Sequence, residues 1–166
     1  MKKLLLLLLL MLPFTAFSQK IKSDKVDDFT GKRVAYTSWE KLAGGLFDNL
    51  MYRFRVNGTN RYLDVEWNVG KVTACNKGDK LILKLFNDSI IEFKNTAYTI
   101  TESKLISKSI YEILDITYEV PTGELEYYPL KLRLYTTSGY YDLNIKEKNA
   151  ETFVRSFNLL SIEPKM

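Results

Sequence analysis

The chain has 166 residues, with 24 Lys and Arg against 20 Asp and Glu, one Cys, no His and 46% hydrophobic residues. That is enough for one domain with its own core and no disulfide or metal staple. Without histidine no Ser–His or Cys–His nucleophile can form, and lone Cys75 excludes an intrachain disulfide and every cysteine-cluster metal site.

The first element is a leader. Lys2 and Lys3 precede an apolar run from Leu4 to Leu12, Pro13 breaks it, and Ala16-Phe17-Ser18 places small residues three and one positions before a cut. This is the pattern of a secretory signal peptide over residues 1–18, with Gln19 as the new N-terminus. The run is too short to span a membrane, which takes about 20 apolar residues, and no cysteine follows it to carry a lipid anchor. The expectation is export to the periplasm or exterior of a Gram-negative bacterium, with no transmembrane segment after the leader is removed. What remains carries 22 cations against 20 acids, a balance that speaks against nucleic-acid binding. Cys75 is tolerable in such a compartment as a buried small apolar residue.

Residues 19–32 are polar without a clear period and are expected to be flexible. From Arg33 to about residue 162 the sequence predicts a single β-rich domain. Three hairpins can be aligned by facing their side chains. In the first, Gly58-Thr59 forms a two-residue turn. It sets Phe54 opposite Leu63, Tyr52 opposite Val65 and Leu50 opposite Trp67, with Arg53 opposite Asp64 and Arg55 opposite Tyr62 on the other face.

The second hairpin turns through Asn87-Asp88-Ser89 and predicts Leu83 opposite Phe93, Leu85 opposite Ile91 and Lys84 opposite Glu92. The third turns at Thr137-Ser138, with Leu134 opposite Tyr141, Leu132 opposite Leu143, Leu130 opposite Ile145 and Arg133 opposite Asp142. Further strands are expected over Val69–Ala74, Tyr98–Thr101 and Ile110–Val120. Ala150, Phe153, Val154, Phe157 and Leu160 then fall on one stripe of an amphipathic helix over about residues 147–160, capped by Asn149 or beginning a turn earlier at Glu147. The fold expected is mainly β (α+β). It is an antiparallel meander of about eight to ten strands, a bent sheet or barrel-like, closed by one C-terminal helix.

The chemistry-bearing residues are few. Asp64 and Glu66 point the same way on one strand, with Asp115 and Glu119 as further carboxylates, so a carboxylate-dependent hydrolase is the enzyme the composition least forbids. Pairing of Asp64 with Arg53 on a solvated face is the simpler reading. Ser103/Lys104 and Ser107/Lys108 read as polar loops, and Asp24, Asp27 and Asp28 lack the spacing of a calcium loop. Gly44-Gly45 has no phosphate-loop lysine. No metal and no cofactor are expected.

Eleven tyrosines are present, and Tyr127, Tyr128, Tyr135 and Tyr140 form the densest group left on the outer face or in turns, the first candidates for ligand binding. Tyr62 and Tyr111 belong to the same outward set. Asn57-Gly58-Thr59 and Asn87-Asp88-Ser89 match the N-glycosylation pattern, and Asp88-Ser89-Ile90 resembles an O-glycosylation acceptor of secreted Gram-negative proteins, which would make Ser89 the site.

Asp28-Phe29-Thr30-Gly31, Thr37-Ser38-Trp39-Glu40 and Gly78-Asp79-Lys80 ahead of an alternating leucine strand resemble uncharacterised secreted β-rich proteins of Gram-negative bacteria over residues 27–95. The resemblance implies an exported β domain and carries no activity or site. The function expected is a non-catalytic exported domain that binds a protein, glycan or envelope component through its sheet surface. The alternatives are a barrel-like carrier of a small apolar ligand and, third, the hydrolase.

Overall fold

The computed structural model of the protein describes residues 21–45 and 48–160. The leader, the cut after Ser18 and the last residues of the expected domain lie outside the described residues. Within them, alternating side chains produce long strands wherever one face is apolar. The first group is β1 (Ile21–Val26), β2 (Arg33–Thr37), β3 (Glu40–Ala43), β4 (Leu50–Asn57) and β5 (Asn60–Asn68). Next come β6 (Ala74–Cys75), β7 (Lys80–Leu85), β8 (Ile90–Asn95), β9 (Thr99–Ile100) and β10 (Glu102–Ile106). The last are β11 (Ser109–Glu119), β12 (Pro129–Thr136), β13 (Gly139–Asn144) and the helix α1 (Glu147–Leu159).

Eleven strands form one antiparallel sheet in the order β1-β2-β4-β5-β11-β8-β7-β12-β13, with β3 also on β4 and β10 also on β11. β6 and β9 pair separately. The fold is mainly β with one C-terminal helix, and the sheet is not closed into a barrel. It departs from a meander at β11, whose eleven residues let it lie along β5 while its end reaches Asn95 and Lys94 of β8.

The first hairpin has the expected register throughout, and in its turn Gly58 takes a positive φ of 64° that a side-chain-bearing residue resists. The third hairpin also pairs as expected. The second is displaced by two residues. Leu81 faces Phe93, Leu83 faces Ile91 and Lys84 faces Ile90, so Lys80 rather than Lys84 meets Glu92, at 2.7 Å. The cause is a three-residue turn set one position earlier: Leu85 and Ser89 close it around Phe86-Asn87-Asp88, and Asp88 adopts φ 63°. A shift of two keeps every side chain on its own face, so alternation cannot detect it.

Other differences also have local causes. The segment expected to be flexible contains β1, held on β2 and tied by Arg33 to Asp24 at 2.8 Å. The Ser103/Lys104 loop is instead β10, mostly exposed and so without an apolar period to read. Leu130 keeps Ile145 as its neighbour, but a bulge between Pro129 and Lys131 leaves it 42% exposed.

Tyr52, Phe54, Leu63, Val65, Leu83, Phe93, Leu114, Ile116, Leu132 and Leu134 are buried on the inner face. α1 begins at Glu147 without a side-chain cap; Asn149 instead donates to the Leu42 carbonyl at 3.2 Å. The helix lays its stripe on the inner face. Phe153 meets Tyr52 and Phe54 with ring centroids 4.9 and 5.1 Å away, Phe157 meets Phe54 at 5.5 Å, and Ser156 bonds the Tyr52 hydroxyl at 3.1 Å. At its far end Asn158 exchanges two 3.0 Å bonds with the Leu125 backbone.

Candidate binding cleft

One edge of β4 is shared by two strands, β2 beside Arg55 and β3 beside Tyr52. Ser38 and Trp39 leave the ladder between them, and the Phe54 N–H there donates to Thr37 Oγ1 at 3.0 Å. This outward step carries Trp39 over the outer face. The Arg53 guanidinium carbon lies 4.8 Å from the Trp39 ring centre and 5.3 Å from that of Tyr36, so two aromatic planes hold it.

Asp64, opposite Arg53 on β5, anchors the other side. Its Oδ2 accepts from Arg53 Nε and Arg55 Nε, and its Oδ1 from Arg55 Nη2 and Thr117 Oγ1, all at 3.0 Å. Four donors saturate the carboxylate. Arg55 reaches Asp64 on the diagonal and rests on the Tyr62 ring, 4.7 Å from its centre. Thr117 arrives because β11 sets it directly across from Asp64. Burial pushes the Asp64 carboxyl up, but the bonds and charges of Arg55, and then of Arg53, outweigh it and hold it below the ordinary carboxylate value. The Asp64 bond also raises Arg55.

Together Trp39, Arg53, Arg55, Asp64, Glu66, Asp115 and Thr117 line a cleft of about 370 Å³. Glu66 and Asp115 are cross-strand neighbours, and Lys104 of β10 bonds Asp115 at 2.8 Å. The Nη atoms of Arg53 and the Glu66 carboxylate have no hydrogen-bond partner among the described residues. The arrangement offers a fixed guanidinium fork and a half-exposed indole beside the Glu66 and Asp115 carboxylates, while Asp64 is spent on its four donors.

The other sequence candidates lie elsewhere. Tyr135 and Tyr140 face each other across β12 and β13 with rings 6.1 Å apart, and Arg133 lies 4.1 Å over Tyr140. Tyr127 and Tyr128 precede β12 at its opposite end, roughly 20 Å along the strand, where Tyr128 O accepts the Phe86 N–H at 2.9 Å. The four tyrosines are two pairs and not one patch. Ser89 sits exposed in the β7–β8 turn, its Oγ donating to Asn87 Oδ1 at 2.6 Å, and Asn57 is exposed at the end of β4. Glu119 stands on β11 beside Tyr62, away from the cleft-lining residues.

Cys75 is buried with its thiol pushed up to about 12 by burial and by Asp79, which makes it unreactive. No group of three or more metal-ligating residues forms among the described residues. Arg53 with Asp64 was legible as a cross-strand pair. Trp39, Arg55 and Thr117 were not assigned to it, and only the alternation of Arg53 with Arg55 on one face hinted at the second arginine. No family model, no curated protein and no solved structure matches the chain.

Proposed function

We propose that the protein is an exported, non-catalytic binding domain that holds its ligand on the outer face of β4, β5 and β11, in the cleft under Trp39. The observation that carries this reading is Arg53. Its guanidinium is fixed by Asp64 and two aromatic rings, yet its Nη atoms have no acceptor among the described residues. A donor fork made rigid before any partner arrives loses little entropy on binding, which is the economy of a recognition site. The leader supports export, and a saturated Asp64 supports binding over hydrolysis.

The carrier alternative needs an open interior. Tyr52, Phe54, Phe153 and Phe157 meet there with ring centroids 4.9–5.7 Å apart, which favours the outer face. The test pairs turnover with binding. A panel of chromogenic glycosides should show no hydrolysis that is lost in folded Asp64→Asn or Glu66→Gln. A thermal-shift screen of soluble oligosaccharides and peptides should yield ligands whose stabilisation disappears in Trp39→Ala. Hydrolysis abolished by either carboxylate change, with the fold intact, would overturn the proposal.

A further inference from the structure

We infer that the cleft takes a neutral glycan, one sugar ring packed against the exposed edge of Trp39 with its hydroxyls shared between Arg53 Nη and the Glu66 carboxylate. The inference rests on the binding-cleft reading above and names the ligand class. The charges of the cleft cancel. Arg53, Arg55 and Lys104 are balanced by Asp64, Glu66 and Asp115. An anionic ligand reaching for the Arg53 fork would meet Glu66 and Asp115, and a cationic one reaching for Glu66 would meet Arg53. A polyol has no such conflict, because each hydroxyl both donates and accepts, and adjacent hydroxyls can bridge a guanidinium and a carboxylate.

The aromatic surface favours the same class of ligand. Trp39 is 40% exposed although one side of its ring faces Arg53. An indole left half open beside hydrogen-bonding groups offers an apolar edge for the C–H groups of a pyranose that also reaches those groups. Size agrees, since about 370 Å³ lies at the lower end of the range of small-ligand sites, roughly 300–1,000 Å³, and suits one or two sugar units. A peptide added as an extra strand is disfavoured, because β4, β5 and β11 all have hydrogen-bonded neighbours on both sides.

The experiment titrates the full exported chain with three soluble probes: neutral hexose oligosaccharides, uronate oligosaccharides and chitosan oligomers. Binding is followed by tryptophan fluorescence, since of the two tryptophans only Trp39 is exposed and Trp67 is buried. Neutral oligosaccharides should bind, with at least a tenfold loss in Trp39→Ala, a several-fold loss in Glu66→Gln and partial retention in Trp39→Phe; calorimetry replaces fluorescence for the Trp39 variants. Binding confined to uronates or to chitosan would overturn the neutral class. Neutral-sugar binding indifferent to Trp39→Ala would overturn the cleft as the site. If no sugar binds at millimolar concentration the glycan inference fails, while peptide binding lost in Trp39→Ala would leave the cleft reading standing.

Discussion

Arg53 with Asp64 and Arg133 with Asp142 are the same cross-strand pair met twice, once in the middle of the sheet and once at its edge. In the edge pair, Arg133 grips Asp142 through two bonds of 2.6 and 2.7 Å, yet the side chains are 40% and 52% exposed. In the central pair the Asp64 side chain is only 10% exposed. The edge pair even has the shorter bonds and its own aromatic ring, Tyr140. Its strand β13 ends the sheet, whereas β5 has β4 on one side and β11 on the other. Those neighbours bring Arg55 and Thr117 to Asp64, and β4 in turn brings Trp39 over Arg53. What turns an ion pair into a rigid site is the flanking strands, not the pair's own geometry.

The two pairs should differ most when Asp64 is removed. Asp64→Ala should lower the unfolding free energy by about 2–3 kcal/mol, since it strands two arginines whose side chains are only 30% and 27% exposed. Asp142→Ala should leave the urea midpoint unchanged, because an exposed pair gives up little when water replaces it. Equal midpoints for the two variants would mean that burial does not separate the pairs. Thr117→Val sharpens the point, as it removes one donor to Asp64 at nearly constant volume and should cost about 1 kcal/mol by the same urea measurement.

Much of this was legible beforehand, and the failures have physical causes. The Arg53–Asp64 and Arg133–Asp142 registers follow from short turns between strands with one apolar face. The β7–β8 register does not, because moving its three-residue turn by one position slips the pairing by two and leaves Leu81, Leu83 and Phe93 still facing inward. β1 and β10 escaped because strands exposed on both faces carry no apolar period. Trp39 escaped for a different reason: it lies outside any strand, and its place over Arg53 depends on β2 and β3 sharing one edge of β4. Thr117 required knowing that β11 enters between β5 and β8, a long-range choice that local pattern does not encode.

The smallest expected difference lies in pH and salt. Both carboxyls are held below their ordinary values. At Asp142 the leading cause is the Arg133 bond, while at Asp64 burial opposes and the bonds and charges of Arg55, then Arg53, prevail. A carboxyl whose folded-state pKa is depressed stabilises the protein fully above its unfolded value, near 4. That stabilisation is lost as pH falls through the folded value. Wild-type stability should therefore decline below about pH 4, and Asp64→Asn should flatten that decline at every ionic strength. Asp142→Asn should flatten it only slightly and only in low salt, because mobile ions screen an exposed pair and reach a buried one far less. Urea midpoints across acid pH in low and high salt test this. If high salt erased the Asp64 contribution as well, the cleft carboxylate would be as open to solvent as the edge one, and Arg53 would lose its claim to be held in place.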